Sequence, residues 1–505
     1  MSEISLDELR PYAGTFPVLP LWRKRRAAKS PIEAFRLFKR ISRQCFILES
    51  LEDKERWGRW TFLGFEPKLE ISCMDGLFRI KNGATIERHD DNPAAAIEKI
   101  LAEYRSPALS TLAPGADLPP FSGGLVGYFS FDYVNYSEPS LKNPASGTDA
   151  PVTNPFKDLD LMLFDKLLVW DNLRSELYFF VNIKTETFEE NYHRALTELD
   201  RLERVLESSE EAALPPLRIT SKFREHDGRE RYCMMVERAK QYIREGDIFQ
   251  VVLSNQLEAE VEGSIFGAYL VLRTANPSPY MFYFTSDDIE IAGASPETLV
   301  KMIAEDDGAA SRIWTFPLAG TRRRGKTDKE DQELEQELRA DPKELAEHNM
   351  LVDLGRNDLG RICEFGSVKV EKYLSIERFS HVMHLGSTVT GVPCAGASAL
   401  DAIAAVLPAG TLSGAPKIRA IEIIRELETA PRGIYGGAIG YIAFSGGMDT
   451  CISIRLAYKK DRKVYVRAGA GIVADSIPEN EYEECRNKMR AVVSALKEAS
   501  FDTPY

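Results

Sequence analysis

The distribution of apolar and polar residues predicts many short strands and several amphipathic helices. In the first 200 residues, CFILES, RWTFLGFEP, LEISCM, GLFRIKNG and GGLVGYFSFDYV have strand patterns, whereas IEAFRLFKRI has helical spacing. The runs LMLFDKLLVWDN and ELYFFVNI predict a hairpin. This part of the chain is therefore expected to mix α and β structure.

The second half continues with an amphipathic helix, YCMMVERAKQYIREGDIFQ, that leads into the strand VVLSNQLEAEV. The apolar runs MFYFTS, IEIAGAS, TLVKMI and RIWTFPLAG then follow one another with short connections, which implies antiparallel pairing. Helices are grouped apart from strands and do not alternate with them. This order predicts an α+β fold with large antiparallel sheets covered by helices.

The segment LESSEEAALPPLRIT has the composition of a linker, and 505 residues exceed one ordinary core. Two domains are therefore predicted, residues 1–215 and residues 216–505.

Charge and cysteine content narrow the possible functions. Lysine and arginine number 64 against 77 aspartate and glutamate, a net charge of −13, which argues against nucleic acid as a partner. No apolar run is long enough to span a membrane, and the start of the chain lacks the apolar stretch of a secretory signal. The seven scattered cysteines contain no CxxC pair, so neither disulfides nor a zinc site are indicated. A cytoplasmic protein without a membrane partner is expected.

Two nucleotide-binding patterns occur, and both are unconvincing. Residues 320–327, GTRRRGKT, fit the P-loop spacing, but three arginines replace the small residues that wrap a phosphate, and carboxylates follow them. Residues 469–474, GAGIVA, fit the dinucleotide pattern, yet too few residues follow for a complete βαβ unit. The glycines at 469 and 471 are better explained by close approach of backbone to a ligand.

Two predicted helices carry carboxylates in unusual places. Asp341, followed by Pro342 and by Glu344, marks a helix start, and helical spacing then places Glu347 on the apolar stripe. A carboxylate there must be paired or bind a metal, unless the stripe is simply interrupted at its edge.

Near the C-terminus, Ser476 and Glu479 suit another capping box, and Glu481 and Glu484 flank the buried stripe of the helix that follows. Both helices together could hold Mg²⁺, although the second, taken alone, is more typical of an ordinary charged surface helix.

The region between these helices supplies further polar candidates. FSHVMHLGSTVTG brings His381 and His384 close together, although buried histidines often only satisfy hydrogen bonds. In GTLSGAPK a loop with Thr411 precedes a helix that opens at about Pro416, and Arg455 lies in CISIR. Loop amides, a helix N-terminus and an arginine would together suit a carboxylate ligand.

These segments, in order, resemble the chorismate-utilising enzymes. The resemblance covers nearly the whole chain and rests on GDIFQVVLS, NPSPYMFYF, GASPE, PLAGTRRRG, ELAEHNMLVDLGRNDLGRI, VMHLGSTVTG, GTLSGAPK, GIYGGAIGY, TCISIR, AGAGIVADS and ECRNK. It implies an αββα sandwich with the active site between the sheets and Mg²⁺ bridging chorismate to two glutamates.

The site residues implied by this resemblance fall into three groups. Glu347 and Glu484 correspond to the metal ligands. Glu297 corresponds to the acid that helps the ring hydroxyl depart, His384 to the residue that assists pyruvate loss, and Thr411 to a polar substrate contact. The remaining contacts to chorismate correspond to Gly320, Thr321, Tyr435, Arg455, Gly469, Ala470 and Gly471.

Two positions bear on the nucleophile. Water-using relatives carry a lysine base where this chain has Gln250, and aminodeoxychorismate synthases typically carry a lysine where it has Ala319. The resemblance therefore implies amination by ammonia and release of pyruvate, as in the branch that makes anthranilate. No G-x-C-x-G elbow surrounds any cysteine, so ammonia from glutamine would require a separate glutamine amidotransferase subunit.

The resemblance also implies feedback inhibition by tryptophan, through Glu49, Ser50, Pro279, Tyr280 and Met281. Without the motif, Ser50 would simply be a hydroxyl at the end of a strand. Two alternatives stay open: an aminodeoxychorismate synthase, and a non-catalytic regulatory subunit that binds tryptophan.

Overall fold

The computed structural model describes residues 2–51, 58–142, 154–303, 311–379 and 382–500, and strands and helices follow one another through these ranges. The strands are β1 (Ser2–Glu3), β2 (Val18–Arg26), β3 (Cys45–Glu49), β4 (Trp60–Phe65), β5 (Leu69–Met74), β6 (Leu77–Asn82), β7 (Ala84–His89), β8 (Gly124–Phe129), β9 (Leu159–Phe164), β10 (Lys166–Asp171), β11 (Glu176–Lys184), β12 (Arg218–Ile219), β13 (Arg224–Glu225), β14 (Gln250–Glu262), β15 (Tyr280–Thr285), β16 (Glu290–Ser295), β17 (Thr298–Ile303), β18 (Arg312–Thr315), β19 (Leu318–Arg323), β20 (Lys369–Arg378), β21 (Val382–Gly391), β22 (Gly414–Ala415), β23 (Ala438–Ala443), β24 (Met448–Ile452), β25 (Leu456–Lys460) and β26 (Lys463–Ile472). The helices are α1 (Leu6–Leu9), α2 (Pro31–Ile41), α3 (Pro93–Glu103), α4 (Leu109–Leu112), α5 (Val134–Ser137), α6 (Phe188–Glu207), α7 (Arg229–Glu245), α8 (Phe266–Ala275), α9 (Asp328–Ala340), α10 (Pro342–Gly360), α11 (Ala399–Val406), α12 (Lys417–Leu427) and α13 (Pro478–Glu498).

The described strands form two large antiparallel sheets. The first follows the order β1-β2-β11-β10-β4-β3-β15-β16-β25-β26-β14-β12, and the second the order β19-β21-β18-β17-β24-β23-β8-β9-β5-β6-β7. Helices α6, α8 and α13 pack on the first sheet, whereas α10 and α11 pack on the second. This arrangement confirms the predicted α+β class and the αββα sandwich of antiparallel sheets with outer helices.

Both sheets contain strands from the two sides of the predicted boundary at residues 215 and 216. In the first sheet β3 pairs with β15, and in the second β8 pairs with β23. The division into domains 1–215 and 216–505 stays a prediction. No helix in the described ranges combines the length and the apolar character that a membrane crossing needs.

The sequence predicted that the apolar run LMLFDKLLVWDN forms one strand of a hairpin, but in the structure this run forms two strands. It divides at Asp165: β9 joins β5 and β8 in the second sheet, whereas β10 joins β4 and β11 in the first. The hairpin of β10 with β11 is correct. A single residue, Asp165, thus connects the two sheets. The apolar pattern of the sequence shows no break at this point because both strands are buried on each face.

The start of α10 confirms the prediction, whereas the start of α13 does not. Asp341 is the N-cap of α10 and accepts hydrogen bonds from the backbone N–H groups of residues 343 and 344 at 3.0 and 3.3 Å. Helix α13 begins at Pro478 after Ile477, without a side-chain cap. The Ser476 hydroxyl instead accepts from the backbone N–H of Val473 at 3.1 Å, so it serves the preceding turn.

Carboxylates occupy the part of the P-loop-like segment where a phosphate would have to bind. The backbone N–H of Gly325 donates to Asp331 at 2.8 Å, and that of Lys326 donates to Glu330 at 2.6 Å. Arg324 also pairs with Asp331. The amides are therefore already used by α9, which explains why this segment lacks the chemistry of a phosphate loop.

Candidate active site

Nearly all of the residues implied as catalytic, substrate-binding or metal-binding line one cavity of about 590 Å³. They are Gln250, Glu297, Gly320, Thr321, Glu347, His384, Thr411, Tyr435, Arg455, Gly469, Gly471 and Glu484. The cavity takes residues from both sheets, from α10 and from α13, which span more than 230 positions of the chain. His381, the other histidine of that run, lies outside the described residues.

Ala470 is absent from this lining, because successive residues of a strand point to opposite faces. Gly469 and Gly471 border the cavity, whereas Ala470 is fully buried in the core. A Cβ on Gly471 would lie 2.5 Å from Nε2 of Gln250, and one on Gly469 would lie 2.7 Å from the carbonyl oxygen of Leu253. Glycine at 469 is therefore required for the close approach of β26 to the backbone of β14, whereas at 471 the neighbouring atom is the end of the Gln250 side chain, which can move.

Glu297 has the character of a proton donor. Glu297 lies in the connection between β16 and β17, and the hydroxyl of Thr411 donates to its Oε1 at 3.1 Å. Burial raises the pKa of Glu297 to about 7, although the hydrogen bond from Thr411 and the charges of Arg455 and Lys488 act to lower it. A substantial fraction of this carboxyl is therefore protonated near neutral pH, as a general acid requires.

His384 is held in one tautomer by the backbone of β19. Its Nδ1 lies 2.9 Å from the carbonyl oxygen of Gly320 and 3.1 Å from the hydroxyl of Thr321. A carbonyl oxygen can only accept, so Nδ1 carries the proton. Burial lowers the pKa of His384, and Arg455 adds to the effect. The ring is therefore neutral near pH 7, and Nε2 retains a lone pair that can accept a proton.

Carboxylates from two helices gather at one end of the cavity. Glu344 and Glu347 come from α10, and Glu481 and Glu484 from α13. Burial, followed by repulsion from Glu344, raises the pKa of Glu347. No group of three His, Cys, Asp or Glu side chains with metal-binding geometry occurs in the described ranges. The arrangement nevertheless fits Mg²⁺, which is usually bound by one or two protein carboxylates together with water and the ligand's own oxygens.

Two lysines also belong to this end of the cavity. Nζ of Lys488 lies 2.7 Å from Oε1 of Glu484 and donates to the carbonyl oxygen of Gly469 at 3.1 Å. Lys343 lines the same region. Neither lysine was identified from the sequence, although the spacing of four residues between Glu484 and Lys488 on one helix could have suggested the second.

Arg455 and Tyr435 complete the part of the wall that is suited to an anion. Arg455 has φ +52°, a left-handed conformation that is unfavourable for a residue with a side chain and that the surrounding structure must hold in place. Tyr435 is buried, and its pKa is raised by burial, so it stays a neutral hydrogen-bonding group.

The residues implied in tryptophan binding lie together at the junction of β3 and β15. Glu49 pairs in register with Met281, and its carboxylate accepts from Arg273 at 2.7 and 3.1 Å and from Tyr269. Ser50 follows directly; its hydroxyl is buried and has no hydrogen-bond partner in the described structure. An unpartnered buried hydroxyl is unfavourable unless a ligand or water completes it.

One side chain of this second cluster, that of Tyr280, contacts the residue next to Glu297. Pro279 precedes β15, and the hydroxyl of Tyr280 lies 2.8 Å from that of Thr298 and donates to Asp449 at 2.7 Å. Thr298 is the residue after Glu297. The assignment of tryptophan to this cluster stays a prediction.

Comparison with known proteins shows the family to which the chain belongs. Residues 44–494 match the family described as chorismate binding enzyme. Anthranilate synthase component 1 of Acetivibrio thermocellus is 41% identical over 98% of this chain and 98% of that protein, and its counterpart in Pseudomonas aeruginosa is 44% identical over 89% and 90%. The crystal structure of anthranilate synthase component I from Streptococcus pneumoniae, 36% identical, superposes with a TM-score of 0.71 over 86% of this chain and 92% of that one. The menaquinone-specific isochorismate synthase of Escherichia coli, 19% identical with a TM-score of 0.65 over 97% and 98%, shares the fold.

Proposed function

The chain belongs to the chorismate binding enzyme family, and on this premise we propose that it converts chorismate and ammonia to anthranilate and pyruvate. The observation that carries the proposal is the meeting, in one cavity, of a carboxyl with a pKa of about 7, a neutral histidine, an arginine and a group of carboxylates. Identity of about 40% to anthranilate synthase component 1 along the whole chain supports the choice among chorismate reactions.

The first step joins nitrogen to the ring. Ammonia attacks the ring carbon beside the carboxylate, an N–C bond forms, and the C–O bond to the ring hydroxyl breaks. Glu297 gives its proton to the departing oxygen, which leaves as water, and the new ammonium group loses a proton. Thr411 keeps the Glu297 carboxyl in place through its hydrogen bond of 3.1 Å.

The second step makes the ring aromatic. Nε2 of His384 accepts the ring proton at the aminated carbon while the C–O bond to the enolpyruvyl group breaks. The released enolate takes up a proton and becomes pyruvate. His384 can do this because Nδ1–H is bonded to the carbonyl of Gly320, so the unprotonated nitrogen is the other one.

Binding of the two substrate carboxylates is assigned to different parts of the wall. Arg455 can form a two-point contact with one carboxylate, and the backbone at Gly469 and Gly471 is close enough to contact the ring. Glu347 and Glu484 would hold Mg²⁺, which neutralises charge on the second carboxylate when bound.

Gln250 favours ammonia over water as the nucleophile. It is buried, its Oε1 has no partner among the described residues, and an amide cannot deprotonate water. We further propose that ammonia from glutamine reaches the site from a separate amidotransferase subunit, and that tryptophan inhibits through Glu49, Ser50, Pro279, Tyr280 and Met281.

The test uses the purified chain with chorismate, Mg²⁺ and an ammonium salt, and identifies products by fluorescence and mass. Anthranilate and pyruvate in equal amounts are expected, and glutamine in place of ammonium should give no turnover. An aminated product that retains the enolpyruvyl group would favour the aminodeoxychorismate alternative. Absence of turnover with intact tryptophan binding would favour a regulatory subunit, and glutamine-dependent turnover by the pure chain would contradict the need for a partner.

A further inference from the structure

A triad of charged side chains is buried in the wall of the cavity. Arg467 lies on β26 two residues before Gly469 and borders the cavity. Glu428 directly follows α12, and Arg432 lies four residues further along the chain. Their side chains are 1%, 3% and 2% exposed, respectively. Sequence spacing does not reveal this triad, because Glu428 and Arg467 are 39 residues apart and belong to different elements.

Both arginines share the one carboxylate. Arg432 donates to Oε1 of Glu428 at 2.6 Å and to Oε2 at 2.9 Å, and Arg467 donates to Oε2 at 2.9 Å. The N–H and hydroxyl of Ser254 also donate to Oε1. Burial alone would raise the pKa of Glu428, but the two guanidinium groups bring it below its usual value, so the carboxylate is charged. Two cations and one anion leave a net charge of +1.

The other donors of the two arginines meet neutral acceptors. Arg432 donates to the carbonyl oxygens of Leu412 and Val252 at 2.6 and 2.7 Å. Arg467 donates to the hydroxyl of Ser254 at 2.8 Å and to the carbonyl oxygens of residues 430 and 431. No second carboxylate in the described ranges lies within ion-pair distance of either guanidinium. Asp132 acts on Arg432 from beyond that distance, so within the triad itself one positive charge is in excess.

Folding stability does not account for this charge. Replacing a buried ion triad by apolar side chains of similar volume is often neutral or stabilising, because desolvation offsets the Coulomb attraction. A triad with an excess charge is less favourable still than a neutral one, since carbonyl and hydroxyl acceptors replace only part of the hydration that the second guanidinium loses. An anion in the adjoining cavity would supply the missing negative charge at low dielectric, where the attraction is strong.

We infer that the triad of Arg432, Glu428 and Arg467 is a preformed electrostatic element that draws an anionic substrate into the cavity through its net positive charge. The inference rests on the proposed function, because chorismate is a dicarboxylate. The triad acts from within the wall, so its arginines are positioning residues and differ in role from Arg455. Arg432 also holds the turn Gly410–Leu412 that presents Thr411, so Arg467 is the better residue to vary.

The experiment measures equilibrium binding of chorismate to the full chain by calorimetry, with Mg²⁺ but without ammonia or glutamine. Arg467→Met gives the triad a net charge of zero and leaves Glu428 paired with Arg432; chorismate should bind at least about 10-fold more weakly. Arg467→Lys keeps the charge and should stay within about 3-fold of wild type. The double variant Arg467→Met/Glu428→Gln restores +1 and should recover most of the lost affinity.

The control removes a buried ion pair that has no net charge. Lys417 donates to Asp358 at 2.8 Å, and neither residue borders the cavity. Lys417→Met/Asp358→Asn should leave chorismate affinity unchanged, provided that circular dichroism and thermal unfolding show a folded protein. If Arg467→Met does not fold, Arg467→Lys/Glu428→Gln, with a charge of +2, should bind chorismate at least about 3-fold more tightly than Arg467→Lys.

A folded Arg467→Met that binds chorismate as tightly as wild type would overturn the inference. So would a double variant as weak as Arg467→Met, because Arg467 would then act by its own contacts and not by charge. A wild-type chain that does not bind chorismate would overturn both the proposed function and this inference. That outcome differs from the first two, in which wild type binds chorismate.

Discussion

Thr411 donates its hydroxyl to the Glu297 carboxyl at 3.1 Å, and this contact joins two elements that are 114 residues apart. Thr411 lies in the turn Gly410–Leu412, whose last carbonyl is held by Arg432, and Glu297 lies between β16 and β17. The proton donor is therefore fixed by the sheet on one side and by a buried arginine on the other. Such preorganisation matters because a small displacement of a catalytic group can lower the rate strongly.

Turnover should decrease as pH rises through about 7, because Glu297 must be protonated to act and burial raises its pKa to about 7. Rates are compared at constant free ammonia, since ammonium must lose a proton to become a nucleophile. Glu297→Gln should lower kcat about 10²- to 10⁴-fold and abolish the decrease of the rate near pH 7. A wild-type profile that stays flat from pH 6 to 9 under these conditions would contradict the role of Glu297 as acid.

Thr411→Val should move the decrease in turnover that follows the ionisation of Glu297 to higher pH. The Thr411 hydroxyl stabilises the charged form of Glu297 and so lowers its pKa. Without this hydroxyl, burial should raise the pKa of Glu297 further. A shift of up to about one pH unit corresponds to the loss of one hydrogen bond. Thr411→Ser, which retains the hydroxyl, is the matched control. An unchanged pH profile in Thr411→Val with lower kcat would indicate that Thr411 acts on the substrate and not on Glu297.

Removal of the Glu347 charge should weaken Mg²⁺ binding. Glu347→Gln keeps the volume but loses the anionic oxygen, and calorimetry without substrate should show affinity at least about 10-fold lower. Asp353→Asn is the control, because Asp353 lies on the same helix with a side chain that is 71% exposed. Equal Mg²⁺ affinity in wild type and Glu347→Gln would remove Glu347 from the metal site.

Local patterns made much of the fold and of the site predictable. Helical spacing from the cap at Asp341 placed Glu347 on the buried side of α10, and the structure puts it on the cavity. Strand alternation around Gly469 would have excluded Ala470, whose side chain must point away from the ligand face. These signals succeed because they depend on residues within two turns or one strand of each other.

Features that depend on distant partners could not be predicted in this way. The division of one apolar run at Asp165 between two sheets leaves no trace in hydrophobicity, because both halves are buried. Ser476 looked like a helix cap, but its hydroxyl is used by the turn at Val473. The triad around Glu428 depends on β26 packing beside the end of α12, which no spacing encodes.

Ser50→Phe should make the enzyme less sensitive to tryptophan. The Ser50 hydroxyl is buried without a partner beside the pair of Glu49 and Arg273, so an amino-acid ligand could complete its hydrogen bonding there. A phenyl group would remove the hydroxyl and fill that space, and the tryptophan concentration for half-inhibition should rise at least about 10-fold.

Each variant is normalised to its own uninhibited rate, and thermal unfolding tests whether the larger side chain disturbs the core. Ser50→Thr retains the hydroxyl and should keep most of the sensitivity. Equal inhibition of wild type and Ser50→Phe would exclude this cluster as the tryptophan site, since a ligand cannot share a space that a buried aromatic ring already occupies.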